Sequence, residues 1–367
     1  MPPATQPPAQ PAPVVAPETP APPVEAPAAP AEPAPGSAAE SAPAPEVARR
    51  APFMALLLPL ESPDFRNAAD AFLRGVEAAA LQQPATLPIE IHATDASPER
   101  ILETYTSVLQ QGAAVVIGPM TRNGVSAIAT SGLVMVPTLT LNQPEGDQPL
   151  PPGLYAFGLS VEDEARVLAR RAYQAGVRRI GLIGTPAPLS RRTRAAFLDT
   201  WQQLGGQAVA MLDADPQGDL AALRAGLSEL TLDAVFLAAP YREARLIRPY
   251  LPAQTPVYAT SQIHMLPSDT LGMVDLNGVR FIDMPWLLSD EHPSVAVYPR
   301  PADLSGGVLR FYALGVDAYR IAAQLAQGRR QFELEGLTGD LSIRPDGTVE
   351  RRPRLAVFQD GAARLLE

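Results

Sequence analysis

Residues 112–143, GAAVVIGPMTRNGVSAIATSGLVMVPTLTLNQ, decide the fold of this chain. The stretch starts with an apolar run at 113–117, continues with a helical pattern over about 121–131, and ends with a second apolar run at 134–141. Apolar runs that carry β-branched residues without polar alternation predict strands buried on both faces. Two such strands joined by a helix form a right-handed βαβ unit with parallel strands.

The residues that follow these two strands are the first candidates for a binding site. In an open α/β sheet, ligands bind beyond the carboxyl ends of the strands. This rule places Met120, Thr121, Asn142 and Gln143 on the functional edge.

The first 50 residues differ in composition from the rest of the chain. They contain 16 prolines and 15 alanines, with five glutamates against Arg49 and Arg50. Such a segment has too few large apolar side chains to offset the entropy of ordering, so we expect residues 1–51 to be a disordered, locally polyproline-like tether. Its greatest reach, at about 3.1 Å per residue, is roughly 150 Å. The alternative is a tail without a function.

The remaining residues predict an α/β protein with two Rossmann-like lobes. Strand and helix patterns alternate from residue 53 to about 143, and a second series of similar length starts near residue 180. Two like βα series argue for two similar lobes with parallel sheets. We expect residues 52–155 to form lobe 1, with 278–335 returning to it, and residues 156–277 to form lobe 2, with 336–367 returning to it.

Composition and motifs argue against several function classes. The net charge of −10 and the absence of a basic block argue against a nucleic-acid partner. The chain has no cysteine, and its three histidines lack the spacing of a metal site or a catalytic triad. It also lacks GxGxxG, P-loop, GxSxG and Ser-x-x-Lys motifs, so we expect no catalytic residue, no cofactor and no metal. No apolar run reaches 18 residues, so we expect no membrane-spanning segment.

The order of elements resembles the type 1 periplasmic-binding-protein fold, with three crossovers between the lobes. More narrowly, several stretches over 52–367 resemble the C-terminal domain of the LpoA family of penicillin-binding-protein activators. They are ALLLPLESP (55–63), VVIGPM (115–120), VPTLTLNQ (136–143), FGLSVEDEAR (157–166), DAVFLAAP (233–240), PVYATS (256–261), DLNGVRFIDMPW (275–286) and RFYALGVDAYR (310–320).

The resemblance implies a non-enzymatic periplasmic activator. Such a protein binds a class A penicillin-binding protein and stimulates peptidoglycan synthesis. It also implies an outer-membrane lipoprotein whose anchoring cysteine we expect to lie outside this chain. Longer family members carry a helical-repeat domain before this one, whereas in the given sequence the preceding residues are the Pro/Ala-rich segment.

A solute-binding receptor for a transporter or sensor is the alternative function. Together with Met120, seven polar residues at strand ends are candidates for a small cleft ligand such as an amino acid or a muropeptide: Thr121, Asn142, Gln143, Ser160, Thr185, Tyr241 and Ser261. The bulky Met120 favours a filled cleft. In the competing interpretation, the polar residues satisfy one another and cap helices between closed lobes.

Two charged features are also ambiguous in the sequence. Arg191, Arg192 and Arg194 stand near the start of a predicted helix, where they indicate either an anionic partner or a solvated face. Asp283 follows a predicted interlobe strand, where a structural hydrogen-bond acceptor and a general acid are both possible interpretations.

Overall fold

The computed structural model describes residues 50–83, 87–146, 148–266 and 270–366. The tether predicted for residues 1–51 therefore lies outside the described residues, except for Arg50 and Ala51. Arg50 pairs with Glu90 at 2.7 Å.

The first lobe is built on a five-stranded parallel sheet in the order β2-β1-β3-β4-β5. The 112–143 stretch supplies its centre as the βαβ unit that its pattern predicts. Its elements are β1 (Phe53–Leu58), α1 (Arg66–Gln82), β2 (Ile89–Ala93), α2 (Pro98–Gln110), β3 (Ala113–Ile117), α3 (Arg122–Thr130), β4 (Thr138–Thr140) and β5 (Leu154–Ala156).

The second lobe is built on a seven-stranded sheet in the order β15-β14-β10-β9-β8-β6-β7. Strands β6 to β10 are parallel, and β14 and β15 add antiparallel strands at one side. The elements up to β10 are α4 (Val161–Gln174), β6 (Arg179–Gly184), α5 (Pro188–Gln203), β7 (Gln207–Asp213), α6 (Leu220–Ser228), β8 (Ala234–Ala238), α7 (Tyr241–Ile247), β9 (Val257–Ala259), α8 (Thr270–Val274) and β10 (Val279–Asp283), with 3₁₀ turns at Arg248–Tyr250 and Ser261–Ile263.

The C-terminal part returns to both lobes. Its elements are α9 (Pro285–Leu288), α10 (Pro293–Val297), α11 (Gly306–Ala326), β11 (Glu333–Glu335), β12 (Asp340–Ile343), β13 (Val349–Arg352), β14 (Arg354–Gln359) and β15 (Ala362–Leu365). Strands β11 to β13 form a separate antiparallel sheet. The chain thus passes between the lobes after β5, after β10 and between β13 and β14.

Two of the expected lobe boundaries need correction. Strand β10 pairs with β9 and β14, so residues 278–283 belong to the second sheet and the return to the first lobe begins at Met284. Residues 336–352 stay with the first lobe, because Leu337, Leu341 and Val349 lie in its apolar core. An apolar strand pattern predicts burial on both faces but does not specify the sheet in which the strand pairs.

Each sheet has an apolar core on both faces. In the first lobe, α1, α11 and the three-stranded sheet cover one face, and α2 and α3 cover the other. In the second lobe, α4 and α5 cover one face, and α6 to α8 cover the other. Both tryptophans are fully buried, Trp286 in the first lobe and Trp201 in the second.

Two helices begin at a serine whose hydroxyl caps the helix. The Ser97 hydroxyl accepts from the amide of Arg100 at 3.4 Å, and the Ser160 hydroxyl accepts from the amide of Asp163 at 3.0 Å. Ser62 followed by Pro63 is a pair typical of a helix start, but it does not cap α1. Helix α1 begins at Arg66, and its N-cap residue Phe65 makes no side-chain cap.

Candidate functional site

A buried network of charges joins the two lobes at the carboxyl ends of β9 and β10. Asp283, the last residue of β10, is fully buried. Arg310 of α11 donates from Nε to Asp283 Oδ1 at 3.1 Å and from Nη2 to Oδ2. His264 Nδ1 also donates to Oδ2, at 2.8 Å, because an ionised carboxylate only accepts. An arginine of the first lobe thereby neutralises a carboxylate of the second.

A second ion pair extends this network. Glu164 of α4 accepts from Arg351 Nη2 of β13 at 3.1 Å and from the backbone amide of Ser261 at 2.9 Å. Both side chains are buried, at 6% and 8% exposure. The Ser261 carbonyl accepts from Arg310 Nη2 at 3.2 Å, which connects the two ion pairs. We call these six residues the junction network: Glu164, Ser261, His264, Asp283, Arg310 and Arg351.

The electrostatics of the junction network favour a charged Asp283. Burial alone would raise the pKa of this carboxyl, but Arg310 and His264 hold it well below its usual range. Removing one partner of a buried ion pair leaves an uncompensated charge, which costs far more than an exposed pair contributes. We infer that the two ion pairs favour one fixed arrangement of the lobes.

A cavity of about 590 Å³ lies beside this network, and we call it the arginine cavity. Its walls are the start of α4, one face of α5, the β12–β13 hairpin and the first-lobe segment near Gln143. Six arginines line it: Arg122, Arg166, Arg170, Arg192, Arg344 and Arg351.

Glu162 connects the two lobes across this cavity. It pairs with Arg192 at 3.1 Å and with Arg122, at the start of α3, at 3.9 Å. Burial acts to raise the pKa of Glu162, but backbone and Arg192 hydrogen bonds outweigh it and lower the pKa below its usual value. Most of the charge in the cavity is therefore already paired within the protein.

The structure brings only some of the eight predicted cleft residues together. Gln143 and Ser160 line the arginine cavity, and Ser261 belongs to the junction network. Asn142 Nδ2 donates to the Met120 carbonyl at 3.2 Å. Met120 itself packs into the apolar core of the first lobe.

The other predicted residues are buried and lie apart from the arginine cavity. Thr121 is the N-cap residue of α3, but its hydroxyl makes no hydrogen bond within the described part of the chain, and the same is true of Thr185. Tyr241 begins α7, with the Arg245 guanidinium 5.5 Å from its ring centroid. A ligand role for the eight residues stays a prediction.

The arginine cluster at 191–194 does not form one basic surface. Arg194 is buried, pairs with Asp213, and donates from Nη1 to the Leu212 carbonyl at 2.9 Å. Arg192 pairs with Glu162, and Arg191 is exposed. The three guanidinium groups therefore have three different surroundings.

Sequence reasoning did not identify the partners of the junction network. Asp283 and Arg310 are 27 residues apart, and Glu164 and Arg351 are 187 apart. For Asp283 and Arg310 the available signal was a charged residue inside an otherwise apolar segment, because a buried charge requires a partner.

The described residues contain no helix long and apolar enough to cross a membrane. Within the same residues, no group of three or more histidine, cysteine, aspartate or glutamate side chains is arranged to hold a metal ion.

Two lobes with mainly parallel sheets, joined by three crossings, define a type 1 periplasmic-binding-protein-like body. One such structure is described as a putative branched-chain amino acid ABC transporter from Chromobacterium violaceum ATCC 12472. It is 37% identical, has a TM-score of 0.71, and the match covers 84% of this chain and 100% of that one.

This chain belongs to the family described as "LppC putative lipoprotein", whose model matches residues 48–228 and 227–361. The LpoA (YraM) C-domain from Haemophilus influenzae, described as a regulator of PBP1A, is 25% identical with a TM-score of 0.72. That match covers 86% of this chain and 99% of the C-domain.

Curated relatives carry the same family resemblance. The penicillin-binding protein activator LpoA of Edwardsiella piscicida is 27% identical over 323 residues, which covers 76% of this chain and 46% of the relative. The chain thus spans about half the length of the curated relatives it matches.

Proposed function

We propose that this chain is a non-enzymatic activator of a class A penicillin-binding protein, acting in the periplasm to stimulate peptidoglycan synthesis. The observation that carries the proposal is the LppC family match, which extends over both lobes. The similarity to the H. influenzae C-domain, which that structure's description calls a regulator of PBP1A, supports the choice of partner.

The geometry fits an adaptor better than a hinged receptor. Two buried ion pairs, Asp283–Arg310 and Glu164–Arg351, cross from one lobe to the other. Lobe opening that separates a pair while one of its charges stays buried is costly. A body with one fixed arrangement of lobes presents a constant docking surface. The proposal places the chain at the outer membrane through a lipid anchor, with the Pro/Ala-rich segment as its reach.

The test is a reconstituted synthesis assay with a class A synthase from the same organism and lipid-linked precursor. Adding the full chain should raise glycan polymerisation or cross-linking, and a pull-down should recover the complex. A matched control is a transporter receptor of the same fold, which should change neither rate. Unchanged synthesis together with no binding would refute the proposal.

The second candidate is a solute-binding receptor. It is favoured by the 37% identity to the C. violaceum protein described as a putative branched-chain amino acid ABC transporter. A small ligand would stabilise the folded chain by mass action, so thermal shift across amino acids separates the candidates. A marked rise in melting temperature, with synthesis unaffected, would favour the receptor.

A further inference from the structure

The arginine cavity holds two charged side chains without partners. Arg170 of α4 is half-buried and makes no hydrogen bond or ion pair among the described residues. Asp199 of α5 lines the same cavity and, within the same residues, also lacks an ion pair. The other charges lining the cavity are matched, because Arg166 pairs with Asp163 at 2.6 Å and Arg344 with Glu350 at 3.1 Å.

A third group in the cavity wall has an unused donor. Arg351 is 8% exposed and uses Nη2 for Glu164. Its Nη1 is buried and has no acceptor among the residues that the structure describes. A buried donor without an acceptor is costly, so an acceptor entering the cavity would gain the full hydrogen bond.

The surroundings of Arg170 favour an incoming negative charge. Burial and the nearby Arg344 guanidinium lower the pKa of Arg170, and these two effects outweigh the carboxylates of Glu350 and Asp163, which raise it. A single negative charge would relieve both effects. A phosphate dianion fits less well, because the carboxylates of Glu162, Asp163 and Glu350 also line the cavity and would repel the second charge.

We propose that the arginine cavity binds a short zwitterionic peptide, with the peptide carboxylate on Arg170 and Arg351 and its ammonium group toward Asp199. One unpaired cation and one unpaired anion in one cavity complement the two charges of a zwitterion. The volume of about 590 Å³ lies within the range of about 300–1,000 Å³ typical of small-molecule sites and exceeds the needs of a single small anion. This site is independent of activator function, so its failure would leave the synthesis assay unchanged.

The test is calorimetric titration of the full chain with trialanine. We expect a Kd of about 1 mM or tighter. Trialanine amide, which lacks the carboxylate, and N-acetyl-trialanine, which lacks the ammonium group, should each bind at least about tenfold more weakly. Methyl phosphate should bind more weakly than trialanine.

Variants assign the binding to this cavity. Arg170→Gln should weaken trialanine binding about tenfold or more without reducing stability, since Arg170 has no ion pair to lose. In Asp199→Asn, trialanine and N-acetyl-trialanine should bind equally, because the ammonium group has lost its carboxylate partner. The control Arg224→Gln changes an exposed arginine of α6 and should leave binding unchanged. No heat with trialanine, equal binding of its amide, tighter binding of methyl phosphate, or unchanged binding in Arg170→Gln would each overturn the proposal.

Discussion

The Asp283–Arg310 pair makes a quantitative prediction about the junction between the lobes. Arg310→Met keeps a side chain of similar length but removes the guanidinium. That group donates to Asp283 and to the carbonyl oxygens of Ser261 and His264, each of the latter at 3.2 Å. The carboxylate retains two donors, His264 Nδ1 and the Met284 amide.

Breaking a buried ion pair costs about 3–5 kcal/mol, and the two remaining donors place this substitution near the lower limit, at about 3 kcal/mol. The double variant Asp283→Asn/Arg310→Met removes the unpaired charge as well. It should be more stable than Arg310→Met, because no uncompensated charge stays buried at the junction. The matched control is Arg100→Met, which breaks an exposed pair with Glu103 at 3.6 Å and should change stability by less than about 1 kcal/mol.

Urea denaturation with tryptophan fluorescence measures these differences in each lobe. Trp286 reports on the first lobe and Trp201 on the second, so variants that keep one tryptophan follow the lobes separately. In Arg310→Met, the two transitions should move apart. A loss below about 1 kcal/mol, or a double variant no more stable than Arg310→Met, would refute the assignment of the network as the interlobe connection.

Three further outcomes follow from the described contacts. Gly75→Ala should destabilise the folded chain by about 1–3 kcal/mol, because the added Cβ would lie 2.0 Å from the Tyr312 carbonyl oxygen. Gly226→Ala, whose Cβ would have nothing within 4 Å, should stabilise the folded chain by about 0.5–1 kcal/mol. Thermal melts compare these two helical glycines. The depressed folded-state pKa of Asp283 contributes stability that is present above its unfolded pKa of about 4 and is lost as the pH falls toward the folded value. In Asp283→Asn, the free energy of unfolding should therefore fall less steeply with decreasing pH, by up to about 1.4 kcal/mol per pH unit. An unchanged slope below about pH 4 would contradict the assignment. Ser160→Ala removes the cap of α4 and should cost about 1 kcal/mol by urea titration, and no measurable cost would show that the cap is replaced by solvent.

Much of the fold could be predicted because its strands are continuous apolar runs. The run at 234–238 is strand β8 with the same bounds, and the run at 113–117 is β3. Strand β4 is shorter than its apolar run, covering only Thr138–Thr140 of residues 134–141. Pro137 precedes it and has no amide hydrogen for the sheet, which limits pairing at that end.

The candidate site was less predictable because its contacts are long-range. The rule that polar residues follow parallel strands located Ser261 correctly after the end of β9. The hydrogen-bond partners of its backbone, Glu164 and Arg310, lie on two helices far away in sequence. The absence of a partner for Arg170 is likewise a tertiary property. No local pattern distinguishes it from Arg171, its neighbour on α4, which donates to the Pro353 carbonyl at 3.0 Å.

Glu164 and Arg351 belong to both the junction network and the arginine cavity, but the two regions differ in how far their charges are already paired. At the ends of β9 and β10, the polar groups of Ser261 and Asp283 are occupied by other parts of the chain, so a ligand there would first have to displace two buried ion pairs. In the arginine cavity, the unpaired charge of Arg170 is available without that cost. Ligand binding in this chain is therefore compatible with closed, fixed lobes. A peptide bound at Arg170 would therefore leave the ion pair between Asp283 and Arg310 intact.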